Sequence, residues 1–124
     1  MVHGYFPAGT NLPYIEVSIF SGKKILHAEC ILDTGFSGCL KLDKETADKL
    51  GIITVEEAHL ITANGEKVHA DLARAYVEME GRKRLAEILI VPGVRLAGVD
   101  LFSIFGYKAV VDCRNRTAHL ERTN

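Results

Sequence analysis

The chain has no tryptophan, only three prolines, only three cysteines and almost no net charge. Each shortage removes a class of protein. Cys30, Cys39 and Cys113 form no CxxC pair and leave one odd thiol, which argues against a disulfide framework and suits a reducing cytoplasm. A net charge of -1 gives no field that would favour nucleic acid or an anionic membrane, so neither is expected as a partner. The densest basic group, Gly81-Arg82-Lys83-Arg84, reads as a solvated turn. The five histidines show neither HxH nor HExxH spacing, so no metal and no cofactor is expected. No apolar stretch approaches the roughly 18 residues of a membrane span. The opening MVHGYFPAGTNLPYIEV lacks the basic region and apolar core of a secretory signal, and a cytoplasmic location is the expectation.

What remains is an ordinary soluble composition, 48% hydrophobic and 25% charged, in 124 residues. That length supports one core and not two lobes. Strand signals dominate. Ile15, Val17 and Ile19 alternate with Glu16 and Ser18; Ser21-Gly22 then turns the chain into KILHAECIL. CLKL is a further short strand. Asp43 is placed as a helix N-cap, with Leu42 and Ala47 as a hydrophobic staple and Gly51 as the stop.

Long strands follow, joined by turns at Asn64-Gly65 and Glu80-Gly81. A two-residue turn at Asn64-Gly65 would pair Ala63 with Glu66 and His59 with Ala70. The imidazoles of His59 and His69 would then lie on opposite faces, unable to share a metal ion. EILIV reads as a strand buried on both faces. Asp100 is a candidate cap for a short helix, LFSIF, ended by Gly106, and AVVD with TAHLE would make a final hairpin. Many short strands and two brief helices imply an all-β fold, a closed barrel or sandwich. There is no internal repeat or linker.

One element carries chemistry. ILDTG ends an apolar strand on a carboxylate, Asp33, and turns at once through a flexible glycine. Asp-x-Gly is common in turns, where the side chain satisfies nearby N–H groups. Placing a charge at the end of a buried strand is costly, however, and that cost marks Asp33 as a functional candidate.

Three segments in register resemble the retropepsin-like (clan AA) aspartic peptidases, in the cellular prokaryotic type with a DTGF motif. ILDTG resembles the active-site motif, LITANGEKV falls where that family has its flap hairpin, and VRLAGVDLFSIFG resembles its second signature. The likeness runs from about residue 14 to 120. It implies a single retropepsin-like domain at 14–124 behind an N-terminal extension at 1–13. It also implies a homodimer hydrolysing polypeptides without a cofactor. Asp33 would be the catalytic carboxylate, and Thr34 would reach across the two-fold axis to lock the paired loops. Gly35 would allow close backbone approach, and Leu96 and Gly98 would pack beneath the loop. Phe36, with Ala63, Asn64 and Gly65 at the flap tip, would meet substrate.

Aspartic peptidase chemistry needs two carboxylates sharing a proton, and this chain has one Asp-Thr-Gly. Asp100 and Asp112 lack the motif. One chain would hold half a site, and a symmetric dimer would complete it.

The chain departs from the viral pattern in places. Phe36 stands where a small residue is usual. Ser37 and Val99 replace an Asp and its Arg partner, so viral substrate recognition does not transfer. A phenyl ring at 36 would wall a specificity pocket, obstruct the cleft or pack in the core. The main alternative is a non-catalytic dimeric peptide-binding module of the same fold. A phosphoaspartyl enzyme of haloacid-dehalogenase type would want a second Asp where Gly35 stands.

Overall fold

The computed structural model describes residues 1–61 and 63–123. In chain order the elements are β1 (Val2–His3), β2 (Tyr14–Ser21), β3 (Lys24–Leu32), β4 (Leu40–Leu42), α1 (Lys44–Leu50), β5 (Thr54–Ile61) and β6 (Lys67–Met79). Then come β7 (Arg82–Ile90), β8 (Leu96–Ala97), α2 (Val99–Phe105), β9 (Tyr107–Asp112) and β10 (Thr117–Arg122).

Seven strands form one sheet in the order β2-β3-β8-β4-β7-β6-β5, and a further pairing of β2 with β6 closes it on itself. The closure depends on the length of β6. One edge of this 13-residue strand is shared, its first half pairing with β5 and Tyr76–Glu78 pairing with β2. Closing a sheet leaves fewer exposed edges. A smaller sheet, β1-β10-β9, covers one end, so residues Val2 and His3 of the leading segment lie along β10.

The alternation of β2 is realised as read: Ile15, Val17 and Ile19 point inward at 0–1% exposure. They meet Cys30 of β3, Leu40 and Leu42 of β4, Val77 of β6, Ile88 of β7 and Leu101 of α2 in one core. Burying each such side chain is worth about 1.5–3 kcal/mol, which offsets the entropy of ordering the strands. Among the described residues, no helix is long and apolar enough to cross a membrane.

α1 is capped as its sequence indicates. The Asp43 carboxylate accepts from Thr46 N–H at 3.0 Å and from Thr46 Oγ1–H at 2.7 Å, and Gly51 ends the helix at φ 68°. Three readings need correction. Asp100 is not a cap: α2 begins at Val99, with Gly98 in the N-cap position, and Asp100 sits in the first turn. β7 is not buried on both faces throughout, because Leu89 is half-buried beside a surface cavity and Glu87 is exposed.

The third correction concerns the β5–β6 hairpin, whose last pair is Ile61↔Lys67, so the connection is longer than two residues. His59 therefore pairs with His69 and not with Ala70, and the two rings meet edge to face at 5.7 Å. A one-residue change of register moves every side chain of one strand to the other face.

Candidate active site

Asp33 follows the last residue of β3, where three strands converge. Ile31 and Leu32 pair in parallel with Leu96 and Ala97 of β8, while Tyr14 of β2 pairs with Ile31 on the other side. Asp33 N–H donates to the Ala97 carbonyl at 2.9 Å, which fixes the start of the loop. Phe36 N–H then donates to the Asp33 carbonyl at 3.2 Å and turns the chain.

The Asp33 side chain is half-buried and accepts Gly35 N–H at 2.8 Å. A Cβ on Gly35 would stand 3.1 Å from that carboxylate oxygen, tighter than an ordinary contact. Thr34 is exposed beside it. One carboxylate held by one amide, with access to solvent, is a group able to accept a proton from water or share one with a second acid.

The loop is held from behind by α2. The first amides of a helix have no partner inside it. Here Gly98 N–H donates to the Cys39 carbonyl at 2.9 Å, Val99 N–H to Phe36 at 2.9 Å and Asp100 N–H to Gly38 at 3.2 Å. The Asp33 loop thus supplies the cap that Gly98, with no side chain, cannot. A Cβ on Gly98 would lie 2.4 Å from the carbonyl oxygens of both Phe36 and Gly38, so only glycine permits the approach. Sequence reasoning put Gly98 under the loop but missed that loop carbonyls cap the helix. The missing cap side chain before α2 was the available signal.

Phe36 is half-buried and lies outside the core cluster. Its ring packs over Gly38 and Gly98, where an added Cβ would meet ring carbons at 2.6–2.7 Å. It also lines a cavity of about 220 Å³ with Leu72, Leu89, Glu87 and Asp100. Ser37 and Val99 are both exposed. Asp112 is occupied in the β9–β10 turn, accepting from the Asn115 backbone at 3.0 Å and its side-chain amide at 2.8 Å. Burial pushes the Cys30 thiol up to about 12 and raises that of Cys39, so neither is poised as a thiolate.

Ala63, Asn64 and Gly65 lie together at the exposed end of the β5–β6 hairpin, with Gly65 at φ 84°. Thr62, within LITANGEKV, lies outside the described residues.

The closed sheet, the paired parallel strands under an Asp-Thr-Gly loop and the helix behind it define the retropepsin fold. Among solved structures the chain is similar to EIAV protease complexed with the inhibitor HBY-793. The two share 19% identity over 86% of this chain and 98% of the viral one, with a TM-score of 0.63. At that identity the likeness establishes the fold. No family model matches the chain, and no curated protein does.

Proposed function

We propose that the chain is an aspartic endopeptidase whose site is completed by homodimerisation. The observation that carries this reading is the Asp33 loop: a half-buried carboxylate, held by Gly35 N–H and braced by the first turn of α2 through a position open only to glycine. A binding surface has no need of such a constrained carboxylate.

In the dimer, one Asp33 is ionised and takes a proton from the attacking water. The other is protonated and hydrogen-bonds the peptide carbonyl as charge develops on its oxygen. Carboxylates so close share one proton, so rate against pH is bell-shaped. Thr34 locks the two loops across the axis, and Leu96 and Gly98 support them. Phe36, Ala63, Asn64 and Gly65 contact the polypeptide. Residues 14–124 are the catalytic domain, with 1–13 an extension of the terminal sheet. Support for dimerisation comes from a groove of about 410 Å³ between Thr34, Val99, Phe102 and Ala109. Val99, which lines it, is 43% exposed.

The cavity under Phe36 also suits the alternative, a dimeric module that binds peptides without cleaving them. Asp33→Asn separates the two. Purified wild type should hydrolyse a fluorogenic peptide library at mildly acidic pH, and the variant should lose that hydrolysis while keeping its circular dichroism and elution volume. Hydrolysis by the variant would end the aspartic mechanism. Peptide binding without hydrolysis by either protein would favour the module.

A further inference from the structure

The register of the β5–β6 hairpin gathers four metal-binding side chains into one patch. Glu57 pairs directly with Asp71, and His59 pairs directly with His69. Residues two apart on a strand share a face, so all four stand on the same side of the hairpin. On β6 this is also the face that carries Ala73, Ala75 and Val77 into the core further along.

Part of the group is already paired, His69 Nε2 standing in hydrogen-bond and ion-pair contact with Asp71 Oδ1. Carboxylates directly opposite each other in an antiparallel pair repel. Here two of them adjoin two imidazoles, the next pair along, with the Glu57 and His69 side chains exposed and Asp71 half-buried.

Three of the donor atoms stand close enough to converge on one ion. One donor atom each from Glu57, His69 and Asp71 lies within 4.8 Å of the others. His69 Nε2 and Asp71 Oδ1 are 3.0 Å apart. Two ligands on a zinc ion, with bonds of about 2.0–2.2 Å, sit roughly 3.0–3.5 Å from each other. That pair, now joined by a hydrogen bond, has the separation of two ligands on one ion, and Glu57 would close the remainder by turning an exposed side chain. His59 stands outside that trio, its ring edge-on to that of His69 with centroids 5.7 Å apart, and would need a rotamer change to become a fourth ligand.

We propose that Glu57, His59, His69 and Asp71 form a site for a divalent transition-metal ion, with Zn²⁺ as its reference occupant. Two imidazoles and two carboxylates suit zinc, copper or nickel, whereas calcium and magnesium prefer all-oxygen sets. Lys67 follows on the same face, two residues beyond His69, and its flexible exposed side chain turns its charge to water.

A bound ion joins the two arms of the hairpin. If the hairpin closes over substrate, as the proposed function holds, the ion stiffens it and slows turnover without touching Asp33. That consequence rests on the peptidase reading; the binding does not.

The test is calorimetric titration of Zn²⁺ into the full chain carrying Cys113→Ser, which removes the exposed competing thiol. One ion per chain is expected. His69→Gln and Asp71→Asn should each weaken binding at least about tenfold, the effect expected when a ligand or its partner is lost. His119→Gln should change nothing, although His119 also touches a carboxylate, Glu121, at 2.6 Å. Co²⁺ should give visible d–d absorption without a thiolate charge-transfer band, and His69→Gln should abolish it. No saturable heat up to millimolar Zn²⁺, or binding unchanged in His69→Gln, would overturn the site. Each measurement reads binding alone, so it stands whether or not the protein cleaves peptides.

Discussion

The loop that follows Asp33 packs as it does because two positions beside it, Gly35 and Gly98, carry no side chain. Gly98 shows this most directly, since a methyl group there would press into two carbonyl oxygens and the Phe36 ring. Overpacking of this kind costs about 1–3 kcal/mol, and here the strain would fall on the loop that positions Asp33. Gly98→Ala should therefore lower the denaturation midpoint and reduce activity per folded molecule as well. Urea titration beside active-site titration measures both; an unchanged midpoint would show that α2 does not brace the loop.

Asp43 gives a pH-dependent prediction. The Thr46 hydroxyl, opposed in part by burial, together with the Thr46 N–H and Arg95, holds its carboxyl below the usual range. A carboxylate depressed in the folded state adds stability that is full above its unfolded value and is lost as pH falls through the folded one. Asp43→Ala should cost about 1 kcal/mol at neutral pH, as loss of an N-cap does. The gap to wild type should narrow below the ordinary carboxylate value. Melting curves from pH 7 down to acid check this; a constant gap would mean that the cap is not linked to the proton.

At the scale of elements, the β5–β6 hairpin and α2 depend on different things. α2 has only seven residues and is held by what surrounds it: its amides by the loop, its apolar face by the core. The hairpin end is exposed, and a Cβ on Gly65 would meet no atom within 4 Å. Its φ of 84° is the constraint, since a left-handed backbone costs a residue with a Cβ about 1–2 kcal/mol. Gly65→Ala should thus lower turnover through an altered hairpin tip and lower the melting temperature by only a few degrees. A large fall in melting temperature with unaltered turnover would make this hairpin a structural turn.

For the whole molecule, the proposed site is a property of two chains. A mixed dimer of wild type with Asp33→Asn would hold one ionisable carboxylate and be inert. Co-refolding equal amounts leaves about one quarter of the dimers with both, so activity should fall to roughly a quarter of the wild-type value at fixed total protein. A complete site in each chain would leave about half. Tagged pull-down of the mixed dimer verifies that subunits have exchanged.

Much of this was legible from residues in order. The alternation of β2, the cap and stop of α1, and the carboxylate ending β3 are local signals, set by side-chain period and backbone preference over a few positions. They point to an all-β chain with Asp33 at a turn. The tertiary structure decided what touches what. A period of two says that residues alternate, but not which partner residue stands opposite, so the His59↔His69 pairing waited on the true length of the turn. Gly98 beneath Phe36 and Gly38 is a similar case, for no local preference records that two distant backbones approach too closely to admit a Cβ. The closing of β2 on β6 likewise depends on how far one strand runs past its neighbour. Only the packed chain fixes that, because the core side chains select one register among many that the pattern allows.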